Sequence, residues 1–99
     1  MLVKFGVDVS KLNRAIRKTL NTVLKIYTHM GLPEPTVTST YEGNHSPGSF
    51  HYSNDAYDLR LPTHVIQQLN DLVANLQEAL PDCDVILEGN HIHVEYDPK

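Results

Sequence analysis

Residues 83–96 read CDVILEGNHIHVEY, two alternating runs of six residues around a Gly89-Asn90 pair suited to a two-residue hairpin turn. With that pair as the loop, Glu88 falls opposite His91, Ile86 opposite His93 and Asp84 opposite Glu95, and these six residues share one face. Cys83, Val85, Leu87, Ile92, Val94 and Tyr96 share the other, which is apolar throughout. The reading is a sheet with an apolar back for helices to cover and an ionisable front.

Upstream, residues 56–61 alternate in the same way, with Tyr57, Leu59 and Leu61 facing the core and Ala56, Asp58 and Arg60 facing forward, until Pro62 stops the run. A helix is expected from about Thr63, carrying Val65, Ile66, Leu69, Leu72, Val73, Leu76 and Leu80 on one side and ending before Pro81. Residues 36–41 are rich in β-branched side chains and read as another strand. A first helix is expected from Ser10, as its cap, through Leu12, Ile16, Leu20, Val23 and Tyr27 to Gly31, which closes it. Its Lys11, Arg14, Lys18 and Lys25 fall within an arc of roughly 60° and read as a solvated face. Residues 42–55 form an aperiodic loop rich in turn residues, where functional groups commonly lie. The fold class is therefore α+β: one domain over residues 1–99, with a small antiparallel sheet and two helices packed on one face.

Composition narrows the function. A 99-residue chain with 40% hydrophobic and 20% charged residues is an ordinary globular sequence. A formal net charge of -4 argues against nucleic acid as a partner, since phosphate binding needs a clustered positive field. No apolar run approaches the length of a membrane span and no export signal is recognisable, so synthesis in the cytoplasm is expected. One cysteine, Cys83, permits no internal disulfide and reads as a core residue. Six histidines are the oddity.

Strand parity gathers Asp58, Glu88, His91 and His93 on the front face, with His51 available from the preceding loop. The plain alternative is the wet side of an antiparallel sheet. As a set, however, these residues suffice for a zinc site, since a catalytic zinc takes three nitrogen or carboxylate ligands and leaves its fourth position to water. Arg60, beside Asp58, is suited to a substrate carboxylate or to an ion pair with a nearby acid.

The run Ser49-Phe-His51-Tyr-Ser-Asn54-Asp-Ala56-Tyr-Asp58 resembles the SxHxxGxAxD signature of the D-alanyl-D-alanine carboxypeptidase family of zinc peptidases, relatives of the hedgehog fold. The run Glu88-Gly-Asn-His91-Ile-His93-Val-Glu resembles the second half of that signature, where a glutamate precedes a metal-binding histidine. The resemblance spans most of the chain after Thr36. It implies that His51, Asp58 and His93 hold Zn2+, that Glu88 is the general base, and that Ser49 contacts substrate. Glu88 lies three residues before His91 and five before His93, so either histidine fits as the third ligand; the IHV pattern favours His93, leaving His91 to orient or stabilise. The family glycine is replaced by Asn54, the non-glycine residue type that takes a left-handed backbone most readily. The implied activity is zinc-dependent hydrolysis of peptidoglycan stem peptides, by carboxypeptidase or endolysin-type endopeptidase action of a phage kind, in a protein expected to be monomeric. The alternative is a zinc-stabilised binding or structural module without catalysis.

Overall fold

The hairpin has the register that its alternation implies. In the computed structural model, which describes residues 1–40, 54–62 and 68–98, β4 (Cys83–Glu88) and β5 (His91–Tyr96) pair antiparallel, with Glu88 opposite His91, Ile86 opposite His93 and Asp84 opposite Glu95. The other described elements are β1 (Leu2–Val3), α1 (Arg14–His29), β2 (Thr36–Ser39), β3 (Ala56–Arg60) and α2 (Leu69–Ala79). The strands form one five-stranded sheet in the order β1-β2-β3-β5-β4, which makes β3 and β5 interior strands and β4 an edge.

The apolar back of the sheet and both helices form one core. Ile16, Val23 and Tyr27 of α1 and Leu72 and Leu76 of α2 are buried against Val37, Tyr57, Leu59, Val85, Ile92 and Val94. Fully burying each such aliphatic side chain contributes about 1.5–3 kcal/mol relative to leaving it exposed. Tyr57 carries a polar group into this core and satisfies it: the Thr19 hydroxyl donates to the Ile16 carbonyl at 2.6 Å and accepts from the Tyr57 hydroxyl, also at 2.6 Å. Burial holds the Tyr57 phenol well above its usual titration range. Cys83 is buried on the same side, and burial, with Asp82 and Asp84 adding to it, pushes its thiol up to about 11, so it is an inert core residue at neutral pH.

Three features differ from the sequence expectations. The sheet is mixed rather than antiparallel, because β1 runs parallel to β2 with Leu2 opposite Thr36 and Val3 opposite Val37. The parallel pairing is possible because α1 provides the crossover between the two strands. Ser10 does not cap α1. Its hydroxyl and N–H both donate to the Asp8 carboxylate, at 2.6 and 2.9 Å, and the helix starts after Asn13. The Asn13 amide donates to the Asp55 carboxylate at 2.6 Å, and its N–H to the Asn54 carbonyl at 3.0 Å, which pins the start of α1 to the entrance of β3. Finally, Leu87 is 40% exposed, although its parity is that of the core, because it lies towards the hairpin end of an edge strand. Gly31 closes α1 as expected, in a left-handed conformation with φ of 71°. Residues 63–67, where the second helix was expected to begin, lie outside the described residues; α2 is described from Leu69.

The exposed edge of β4 is partly paired by a side chain. Gln77 of α2 donates to the Cys83 carbonyl at 2.7 Å and accepts from the Val85 N–H at 3.0 Å, which are the two bonds a further strand would make there. The same amide nitrogen also reaches the Leu80 carbonyl at 3.2 Å. Edge strands left open are templates for association. Replacing Gln77 with Ala should therefore cost about 1–2 kcal/mol in a urea titration and increase light scattering at high protein concentration. An unchanged midpoint would show that the amide makes no net contribution.

Candidate metal and anion site

The front face is assembled by the pairing of β3 with β5, which sets Asp58 opposite His93 and Arg60 opposite His91. A register shift in β2 between Val37 and Ser39 places an extra residue beside Asp58, so that Ser39 pairs with it. Bulges of this kind bend a strand locally and recur next to functional sites. Asn54, two residues before β3, has a φ of 64°, the left-handed conformation expected of it at the position of the signature glycine.

Asp58 and His93 are both buried, at 6% and 7% exposure, which is unusual for residues on what parity alone would make a wet face. They touch: His93 Nδ1 lies 3.0 Å from Asp58 Oδ1. The other ring nitrogen, Nε2, lies 2.7 Å from Glu95 Oε1. Both ring nitrogens therefore face carboxylates. Burial alone would lower the His93 pKa, but hydrogen bonds and charge from Asp58 and Glu95 outweigh it and raise the value above the ordinary one for histidine.

His91 sits one step along the strand, with Nε2 at 3.7 Å from both Asp58 Oδ1 and Glu88 Oε1, and Nδ1 at 2.7 Å from Asn90 Oδ1. Glu88 is 46% exposed at its side chain. Asp58, Arg60 and His91, together with Lys4, Thr38 and Asn90, line a cavity of about 290 Å³ on this face.

The structure thus brings together five of the residues singled out from the sequence: Asp58, Arg60, Glu88, His91 and His93. Ser49 and His51 lie outside the described residues. Two residues were missed. Glu95 shares the parity of His93 and lies two positions on, so its role as a partner was readable from the hairpin. Lys4 was not, because it reaches the site through a two-residue strand with no periodic signal.

The donor set suits zinc at the Asp58–His93 pair. Ligand atoms about 2.0–2.1 Å from a tetrahedral zinc stand roughly 3.3 Å apart, near the 3.0 Å between Asp58 Oδ1 and His93 Nδ1. A carboxylate on the far nitrogen is the usual partner of a zinc-bound imidazole, and Glu95 occupies that place. Among the described residues, the set of three or more potential ligand atoms all within 4.8 Å of one another is Asp84, Glu95 and Asp97. Its oxygens suit a hard cation rather than zinc, and its Glu95 already bonds His93. Asp58, His91 and His93 do not close into such a set among the described residues.

No known family's sequence model matches the chain, and no curated protein matches it. No described helix is long and apolar enough to cross a membrane.

Because the folded pKa of His93 is raised, the stabilisation that its protonation gives is fully present below the unfolded histidine value, near 6.5, and is lost as pH rises through the folded value. An NMR titration in the presence of chelator should find His93 titrating above 6.5, and Asp58→Asn should lower that value. A wild-type pKa below 6.5 would contradict the geometry.

Proposed function

We propose that the chain is a zinc-dependent peptidase acting on peptidoglycan stem peptides, with His51, Asp58 and His93 as ligands of Zn2+. The observation that carries this reading is the buried contact of Asp58 with His93 Nδ1, with Glu95 holding the opposite nitrogen. A positive φ at Asn54 adds support, because the signature that the sequence resembles has glycine there.

When bound, zinc supplies a Lewis acid and lowers the pKa of its water towards roughly 7. Asp58 and His93, with His51, would hold the cation, and Glu95 would keep the proton on Nε2 of His93 and so leave Nδ1 to the metal. Glu88 is the general base, taking the proton of the attacking water and returning it to the leaving amine. Shuttling of this kind contributes about 10² to 10⁴ in rate. His91 lies between Asp58 and Glu88, at 3.7 Å from each, where it would orient the glutamate or stabilise the developing oxyanion. Arg60 and Ser49 are assigned to substrate binding. The D-alanyl-D-alanine carboxypeptidase and endolysin-type reactions are the two forms of this activity.

A second reading, a zinc-held binding or structural module, is favoured by the exposed position of Glu88 on the edge strand. Replacing Glu88 with Gln separates the two. Protein purified without chelator should contain close to one equivalent of zinc by elemental analysis and release new amino or carboxyl termini from purified cell wall. Glu88→Gln should retain the zinc and lose at least a hundredfold in rate. Retention of full activity would remove Glu88 from the mechanism, and absence of wall cleavage by the zinc-loaded wild type would favour the module.

A further inference from the structure

Tyr27, in the last turn of α1, carries the one buried side-chain polar atom that has no hydrogen-bond partner among the described residues, its hydroxyl. The residue is 2% exposed, and burial pushes its phenol up to about 12, so the hydroxyl stays protonated at neutral pH. A buried tyrosine hydroxyl ordinarily finds a partner, because an unmet donor keeps the cost of leaving water with no bond in return. Tyr57, in the same core, has such a partner in Thr19. Tyr27 also forms part of the wall of a cavity of about 190 Å³, at the end of the sheet where β2 begins and β3 stops. Pro33 and Pro35 from the α1–β2 connection, with Leu61 and Pro62 from the exit of β3, line the same space. Proline has no N–H to offer, and the Pro35 carbonyl is taken by the Leu2 N–H at 2.9 Å. Of the charged residues at the wall among those described, Glu34 pairs with the amino group of Met1, and Arg60 has the forward-facing parity of β3, in the row of His91.

We infer that this cavity binds one small neutral molecule, a single apolar ring bearing a carbonyl oxygen, and that the oxygen accepts from the Tyr27 hydroxyl. Size, polarity and functional group each follow from a feature of the wall. An apolar cavity of about 150 Å³ is enough to hold benzene. The space here, about 190 Å³, therefore admits one six-membered ring with a short substituent, and it is below the roughly 300–1,000 Å³ of pockets that take larger ligands. The proline rings and Leu61 favour an apolar body, and a carboxylate or ammonium would lose its hydration against them. Tyr27 selects the functional group: a phenol that remains protonated is a donor, and its complement is an acceptor oxygen. Water is the competing occupant, but a buried water needs two to four polar partners, which proline rings and a leucine side chain do not supply.

This site goes beyond the proposed function and does not rest on it. Tyr27 belongs to the helix layer that packs on the back of the sheet, whereas Asp58 and His93 meet on the front. Binding of the ring therefore requires neither zinc nor turnover.

The test titrates the full chain with acetophenone, and with ethylbenzene as the probe of like shape that lacks the oxygen, followed by amide and methyl NMR. Acetophenone should give saturable shifts at the Tyr27 and Thr36 amides and the Leu61 methyl groups, and should bind about fivefold more tightly than ethylbenzene. Tyr27→Phe removes the hydroxyl alone, so it should keep its dispersed spectrum and its thermal midpoint and bind the two probes about equally. A second measurement needs no variant: the carbonyl stretch of acetophenone should move to lower frequency on binding to the wild-type chain, as a carbonyl that accepts a hydrogen bond does. Absence of saturable shifts, equal binding of ketone and hydrocarbon by the wild type, an unmoved carbonyl stretch, or an undiminished preference in Tyr27→Phe would each overturn the assignment. So would a long-lived water in contact with Tyr27 that acetophenone fails to displace. Ring binding by a protein that cleaves no cell wall would leave this inference standing and the peptidase reading refuted, and wall cleavage without ring binding would do the reverse.

Discussion

The register between β3 and β5 is the constraint on which the rest depends. It sets Asp58 opposite His93 on the front while Tyr57 and Leu59 meet Val94 and Ile92 on the back. A slip of one residue would send Asp58 or His93 into the apolar core and expose the aromatic and aliphatic side chains that now fill it, a rearrangement that strand geometry makes all-or-none. The core therefore holds the site in place. Further ties resist the slip: the Tyr96 N–H donates to the Asp55 carbonyl at 2.8 Å, and Asn13 holds both Asn54 and Asp55 to the start of α1.

A buried histidine flanked by two carboxylates is a costly arrangement for a fold that needs only a packed sheet, because taking such charges out of water offsets much of their mutual attraction. In its place, hydrophobic residues of similar volume would pack at least as well. The two rows that surround it, Glu88–His91–Arg60 and Asp84–Glu95–Ala56, add charge to the same face rather than relieving it. The face gathers carboxylate, imidazole and cationic groups on adjacent positions of three strands, which is the arrangement the proposed hydrolysis would use.

Much of this was readable from the sequence, and for identifiable reasons. The hairpin announced itself because Gly89-Asn90 separates two runs of strict alternation, and that alternation fixed every cross-strand pair between β4 and β5. It also placed Asp58 on the correct face of β3. Parity could not say that Asp58 and His93 would be buried, since burial depends on what lies over the face. Nor could it show β1, whose two residues offer no period, and with it went both the parallel pairing and the presence of Lys4. Ser10 misled because a serine ahead of an apolar helical pattern is the usual cap, whereas here the neighbouring Asp8 competes for its hydroxyl and N–H. The front-face burial and the N-terminal cation are tertiary facts that no local pattern encodes.

The proposed zinc site requires His93 to present Nδ1 to the metal. Long-range nitrogen–proton correlation NMR of the histidine rings, recorded before and after one equivalent of zinc, reads this directly. The account predicts that in the metal-free protein both nitrogens of His93 carry protons at mildly acidic pH, and that zinc removes the proton from Nδ1 while leaving Nε2–H on Glu95. A bound equivalent of zinc that leaves the His93 ring spectrum unchanged would contradict it.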